Sequence, residues 1–264
     1  MLQPAATSPL SPPLAGATAG AATDASPWLL RPCQDAAQQA RDLALELADR
    51  LRAAIDARGQ ALLAVSGGKS PLALFAELRR QDLAWDRVTV LLADERCVPD
   101  GHPDSNGTLV REQLLQERAA AARWQPFFTA LPSQPSSDWS EAELERLADS
   151  AHQQLAELPW PLDVLVLGMG EDAHTASLFP AAPGLARALE SEQRVAWVRP
   201  STAPHARLTL TLPTLLAARA IYLPLTGERK RAVFDQACRA ASADAPISLV
   251  LHRALQPVQV WLAP

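Results

Sequence analysis

The sequence predicts an α/β fold with a mainly parallel sheet flanked by helices, and three observations lead to it. Short apolar runs of strand length alternate with segments whose apolar residues recur at helical spacing, and strands joined through helices pair in parallel. Several of these runs end in glycines or in clustered polar residues, as strands do where they open into loops. The chain also has 264 residues, 48% of them hydrophobic and 20% charged. That is enough for one sizeable core, since a chain of this length buries roughly three quarters of its unfolded surface.

Residues 1–26 are mostly Ala, Pro, Ser and Thr and contain no Lys or Arg. They lack the positive start and apolar centre of a secretion signal and are expected to form a disordered tail before a single domain spanning 27–264. From Asp35 to Gly59 the spacing predicts a helix, with Leu43, Leu47, Leu51 and Ile55 on one face and Gly59 as the stop. ALLAVSGG reads as a buried strand ending in glycines. Ser70-Pro71 then opens a helix with a capping hydroxyl and a proline at its first position, and Leu72, Phe75 and Leu78 form the apolar face.

VTVLLADE is predicted as a strand from Val88, followed by a loop rich in Pro, Gly and Asp. A helix starts near Ser105 and turns Leu109 and Leu114 inward. A second polar loop, SQPSSDWS, precedes Ser140-x-x-Glu143, a capping box for a helix carrying Leu144, Leu147, Ala151 and Leu155. Leu162 to Leu167 is a strand. RVAWV, ARLTLTL and AIYLPLTG read as further strands, ERKRAVFDQA as a helix and PVQVWLA as the last strand.

Composition excludes several classes of function. No apolar run approaches the roughly 20 residues of a membrane helix, so a soluble protein without a membrane partner is expected. A net charge of -5 argues against a nucleic-acid partner, which calls for a basic face. Cys33, Cys97 and Cys238 are far apart and form no C-x-x-C, which argues against disulfides and zinc clusters and points to the cytoplasm. Of the 24 basic residues all but Lys69 and Lys230 are arginine. Both lysines fall at glycine-containing junctions between loop and helix.

In parallel sheets ligands bind beyond the carboxyl ends of the strands, and three such junctions hold the unusual residues. SGGKSP, with Ser66, Gly67, Gly68, Lys69 and Ser70, offers consecutive N–H groups, hydroxyls, an ammonium and a helix start, which together suit a phosphate. A tight structural turn is the alternative. The segment has neither Walker spacing nor the glycine of a nucleophile elbow. In ADERCVP, Arg96 ends an apolar strand, placed to clamp an anion or stabilise an oxyanion; a salt bridge to its acidic neighbours is the alternative. The adjoining DGHPDSN lacks the bidentate Glu of a calcium loop, which argues against a metal there.

The third junction, LDVLVLGMGEDAHTASLFP, has the G-x-G-x-x-A spacing of a dinucleotide fingerprint. That reading needs a helix after Ala173 and an acidic residue some twenty positions on. The chain instead runs into Phe179-Pro180, and the next strand ends in Arg199-Pro200. His174 becomes the best candidate for a general base, since histidine is the side chain most easily poised at neutral pH, and Asp172 is placed to orient its ring. His102 and His205 in loops, His152 on a helix border and His252 in a basic stretch are weaker candidates. Arg207, at the start of the alternating strand in HARLTLTL, and Lys230 after Gly227 can deliver positive charge to a ligand; decoration of the surface is the alternative.

Taken in order, AVSGGKSPLALFAEL, LLADERCVPDGHPDSNGTLVREQLL, LDVLVLGMGEDAHTASLFP and RLTLTLPTLLAARAIYLPLTGERK resemble the 6-phosphogluconolactonases of the glucosamine-6-phosphate isomerase/6-phosphogluconolactonase family. The resemblance runs from about Leu30 to the C-terminus. It implies a Rossmann-like domain that needs no redox cofactor and acts on a small sugar-phosphate lactone. No metal is expected from the residues read above, and the chain is expected to be a monomer or small homo-oligomer. The implied reaction converts 6-phospho-D-glucono-1,5-lactone to 6-phospho-D-gluconate in the oxidative pentose phosphate pathway. By the same resemblance His174 is the base and Asp172 its helper, while Ser66, Gly67, Gly68, Arg96, Arg207 and Lys230 match sugar-phosphate and oxyanion contacts. The family usually has Gly before the histidine where this chain has Ala173, which would be strained by about 1–2 kcal/mol if its φ is positive.

Two rivals follow from the same fold. An amino-sugar phosphate isomerase or deaminase resembles G-H-I-A-F-N-E-P in this loop, whereas the chain has AHTASLFP and no such glutamate. A non-catalytic sugar-phosphate sensor would be joined to a DNA-binding module, and the 29 residues before the region of resemblance contain no helix-turn-helix and are too short for one.

Overall fold

The computed structural model describes residues 27–128, 131 and 139–264. The predicted tail, 1–26, and most of the second polar loop, 133–138, lie outside the described residues. The strands are β1 (Trp28–Pro32), β2 (Ala61–Val65), β3 (Val88–Leu92), β4 (Asp94–Arg96), β5 (Arg123–Trp124), β6 (Val164–Val166), β7 (Val195–Val198), β8 (Arg207–Leu210), β9 (Ile221–Thr226) and β10 (Val258–Ala263). Among them run α1 (Ala36–Arg58), α2 (Leu72–Leu78), α3 (Asn106–Gln113), α4 (Glu141–Ala156), α5 (Leu185–Glu190), α6 (Leu212–Leu216), α7 (Glu228–Ala237) and α8 (Pro246–Arg253).

Seven strands form the main sheet in the order β1-β10-β9-β6-β2-β3-β5, and every pair in it is parallel. From β2 the chain builds outward through β3 and β5, whereas from β6 it builds the other way through β9 and β10. Strand order therefore reverses between β2 and β6, and the crevice beyond their carboxyl ends is where such sheets hold ligands. SGGKSP follows β2 and GMGEDAHT follows β6.

The long predicted helix forms within a residue of its expected ends. Asp35 caps α1 by accepting from the Gln38 N–H, and Gly59 closes it at φ 77, a left-handed geometry that glycine adopts without penalty. Leu43, Leu47 and Leu51 are fully buried, and Ile55 packs at the edge of the core. In α4 the expected capping box is present, with Ser140 and Glu143 exchanging side-chain and backbone bonds. None of the described helices is long and apolar enough to cross a membrane.

The structure departs from expectation in three places. VTVLLADE is two strands, not one: β3 stays in the main sheet, and β4 joins β8 and β7 in a small antiparallel sheet ordered β4-β8-β7. Ala93 is the transfer point, its N–H donating to Val65 and its carbonyl accepting from Leu210. Ser70 does not cap α2, whose N-cap is Pro71 without a side-chain bond, because the Ser70 hydroxyl is taken by Lys230. Finally β1, β5, α5, α6 and α8 appear where no element was expected, each short or apolar throughout and so without a legible period.

Candidate active site

Alternation along β4 sorts its three charged residues. Successive strand side chains point to opposite faces, so Asp94 and Arg96 both line a cavity at the switch point, while Glu95 turns away toward α3. There Glu95 accepts from the Ser105 hydroxyl and from the N–H groups of Asn106 and Gly107. Burial pushes its carboxyl above the ordinary value, and these donors pull it back. Arg96 does not pair with its acidic neighbours; its Nη1 donates to the Asp104 carbonyl at 2.6 Å.

Directly across the β4–β8 ladder from Arg96 stands Arg207. Like charges placed opposite each other on adjacent strands are destabilising. Arg207 is buried, and burial, together with the charge of Arg96, lowers its pKa against the pull of Asp94 and Glu95. Asp94 is a distant counter-ion at 3.9 Å, and its Oδ2 already accepts from the Ser177 hydroxyl at 2.5 Å. The Nε groups of Arg96 and Arg207 and the Oδ1 of Asn106 are buried with no hydrogen-bond partner among the described residues. All three residues line the cavity, which places two guanidinium groups and an amide in its wall.

Beyond β2, SGGKSP forms the facing wall. Gly67 is required by contact: a Cβ there would fall 2.0 Å from Asn106 Oδ1. Gly68 is required by conformation, with φ 85. Lys230, from the first turn of α7, donates to the Ser70 hydroxyl at 3.0 Å, which joins the two lysine-bearing loops that are distant in sequence. Burial lowers the Lys230 pKa, partly countered by Glu171. An anion beside this ammonium would remove that penalty.

After β6 comes the histidine loop. His174 Nδ1 lies 2.5 Å from Asp172 Oδ1, and the same oxygen accepts from the His174 N–H at 3.2 Å. A carboxylate only accepts, so Nδ1 carries the proton of this bond, and a neutral ring held this way presents the lone pair of Nε2. The imidazole also stacks on Phe179, with centroids 4.0 Å apart, and the Arg207 guanidinium lies 4.8 Å from the centre of the same ring. Gly170 is present because a Cβ there would come within 2.2 Å of His174 Nδ1. The second glycine of the G-x-G spacing that resembles a nucleotide fingerprint thus makes room for the histidine.

Ala173 has φ 63, so the left-handed geometry is kept without a glycine. The loop is held in place by bonds from Ala173 N–H to Gly170, from Gly170 N–H to His174, and from Ile247 N–H to the Ala173 carbonyl. Such surroundings sustain about 1–2 kcal/mol of local strain.

Nine expected residues, Ser66, Gly67, Gly68, Lys69, Ser70, Arg96, His174, Arg207 and Lys230, therefore line one cavity of about 270 Å³. Asp172 does not reach its wall and bonds to His174 from behind. Cys97, next to Arg96, is buried with its pKa pushed up to about 12, which removes it as a nucleophile. Sequence reasoning missed Asp94, Asn106, Ser177 and Phe179. Asn106 had a signal, since it follows the helix-capping Ser105 directly, but caps are ordinarily structural.

Residues 34–261 match the family described as glucosamine-6-phosphate isomerases/6-phosphogluconolactonase. The chain belongs to this family. Among its relatives are a Neisseria meningitidis serogroup A 6-phosphogluconolactonase, 44% identical over 83% of this chain and 92% of that protein, and one from Pseudomonas aeruginosa, 48% identical over 76% of this chain and 82% of that protein. The crystal structure of a 6-phosphogluconolactonase from Shewanella baltica superposes with a TM-score of 0.82 at 37% identity, covering 90% of this chain and 98% of that one. The histidine loop, the arginine strand and the glycine loop, which converge on the cavity, all lie within the matched residues.

Proposed function

We propose that this protein hydrolyses 6-phospho-D-glucono-1,5-lactone to 6-phospho-D-gluconate, in the cytoplasm and as one domain from residue 27 onward. The observation that carries the reading is the opposed pair Arg96 and Arg207 sharing a cavity with a carboxylate-oriented histidine. Two like charges held face to face cost stability, and a phosphate together with a developing oxyanion repays that cost.

In this reading SGGKSP and Lys230 take the phosphate, and the arginine pair supplies the further positive charge that phosphate and oxyanion need. His174 Nε2 removes a proton from water, whose oxygen adds to the C1 carbonyl. Asp172 holds the ring and stabilises the imidazolium. The tetrahedral intermediate then breaks its bond from C1 to the ring oxygen, and His174 returns the proton to that oxygen, which leaves as the C5 hydroxyl. General base catalysis of this kind contributes about 10²–10⁴ in rate.

The test is to generate the lactone with glucose-6-phosphate dehydrogenase and to follow its disappearance over spontaneous hydrolysis. Wild-type protein should accelerate it, and His174→Gln should lower kcat with little change in KM. Absence of acceleration would sink the reading, and full turnover by His174→Gln would exclude that residue as the base.

A further inference from the structure

We propose that His102, Asp104 and His205 bind a divalent transition-metal ion of the zinc, cobalt or nickel class at the edge of the arginine pair. His102 and Asp104 lie on the loop after β4, and His205 is 101 positions beyond Asp104, on the loop that leads into β8. The fold brings the two loops together because β4 and β8 are ladder partners. One donor atom from each side chain lies within 4.8 Å of the others.

His205 Nε2 and Asp104 Oδ2 are 2.9 Å apart, and His102 Nδ1 stands 4.0 Å from the same oxygen. The two imidazoles meet edge to face at 5.6 Å. Zinc bonds of about 2.0–2.1 Å in a tetrahedron place neighbouring donors about 3.3 Å apart. These separations bracket that spacing, so modest side-chain rotations complete a three-ligand site with a position left for water. Two imidazoles and one carboxylate suit zinc, cobalt and nickel, whereas calcium and magnesium favour all-oxygen sets.

Binding requires two exchanges. His205 Nε2 must give up the proton it shares with Asp104, to its other nitrogen or to solvent, and His102 Nδ1 must release the Asp104 N–H that it accepts at 3.0 Å. The Arg96 guanidinium, bonded to the Asp104 carbonyl, opposes a cation and weakens the site. None of the three residues lines the cavity, so the ion does not compete for the lactone's place. It fastens together the loops that bear Arg96 and Arg207.

His205 has φ 71, and asparagine tolerates that geometry. His205→Asn therefore removes the imidazole while keeping the backbone. Chelator-treated full chain, titrated calorimetrically with zinc chloride, should bind one ion per chain. His205→Asn and, independently, His102→Gln should each weaken binding by at least about tenfold. Cobalt titration should give d–d bands without a thiolate charge-transfer band. Lack of binding below millimolar zinc, unchanged binding in the two variants, or a thiolate band from a cysteine would overturn the proposal.

Discussion

A methyl group at position 170 tests the histidine loop more sharply than removing the histidine does. The Cβ of Gly170→Ala would stand 2.2 Å from His174 Nδ1, 2.3 Å from its Cε1 and 2.4 Å from Asp172 Oδ1, where ordinary contact begins at 3.4 Å. Gly170 is not among the positive-φ glycines, so the backbone accepts alanine and the side chains must give way by about 1 Å. Both are partly exposed, 28% for His174 and 41% for Asp172. Their exposed edges have room to move, at the cost of part of the His174–Phe179 stacking, and stability should change by about 1 kcal/mol or less. A displacement of about 1 Å at a reacting group costs on the order of 10²-fold in rate. In the lactone assay Gly170→Ala should therefore lose about that factor in kcat while keeping its KM and its thermal midpoint. Gly168→Ala is the control, because its methyl meets nothing nearer than Ser66 Cβ at 3.9 Å, and it should lose far less. A Gly170→Ala protein with wild-type kcat would refute the role given to the His174–Asp172 pair.

Three further outcomes follow from the same geometry. Arg207→Leu removes one of two opposed like charges; kcat/KM should fall about 100-fold or more while calorimetry finds a thermal midpoint unchanged or raised. Ala173→Gly relieves about 1–2 kcal/mol of left-handed strain but loses about 0.4–1 kcal/mol through the freer unfolded chain, together with a buried methyl. Denaturant titration should place it within about 1 kcal/mol of wild type, with activity intact. Glu95 has a carboxyl raised above its ordinary 4.5, so the folded state holds that proton more tightly than the unfolded state does. Its contribution to stability is complete below 4.5 and is lost as pH rises through the folded value. Stability of wild type relative to Glu95→Gln should accordingly decline with rising pH across that window, and a flat difference would contradict the shift.

Local rules carried five of the main sheet's seven strands, the caps of α1 and α4, and the residues of the three loops. Each is written in nearest neighbours: apolar period, a capping oxygen three residues ahead, a glycine after a strand. The histidine and its aspartate were legible for the same reason, being two residues apart on one turn. What the sequence could not express is contact across the fold. Ser70 reads as a helix cap until Lys230, 160 residues away, takes its hydroxyl. VTVLLADE reads as one strand until Ala93 hands the chain from one sheet to another. Asp94, Asn106, Ser177 and Phe179 stand inside the quoted segments but show no chemistry of their own there, and acquire their roles through partners on other elements.

By itself, then, the sequence determined an α/β chain with phosphate-suited, cationic and histidine-bearing strand ends, because those features depend on backbone periodicity and local hydrogen bonding. Only the tertiary structure decided that Arg96 faces Arg207, that Gly170 is bare because His174 lies against it, and that His102, Asp104 and His205 meet. Those facts depend on ladder register and the sheet's switch point, which are set when distant segments bury their apolar faces together.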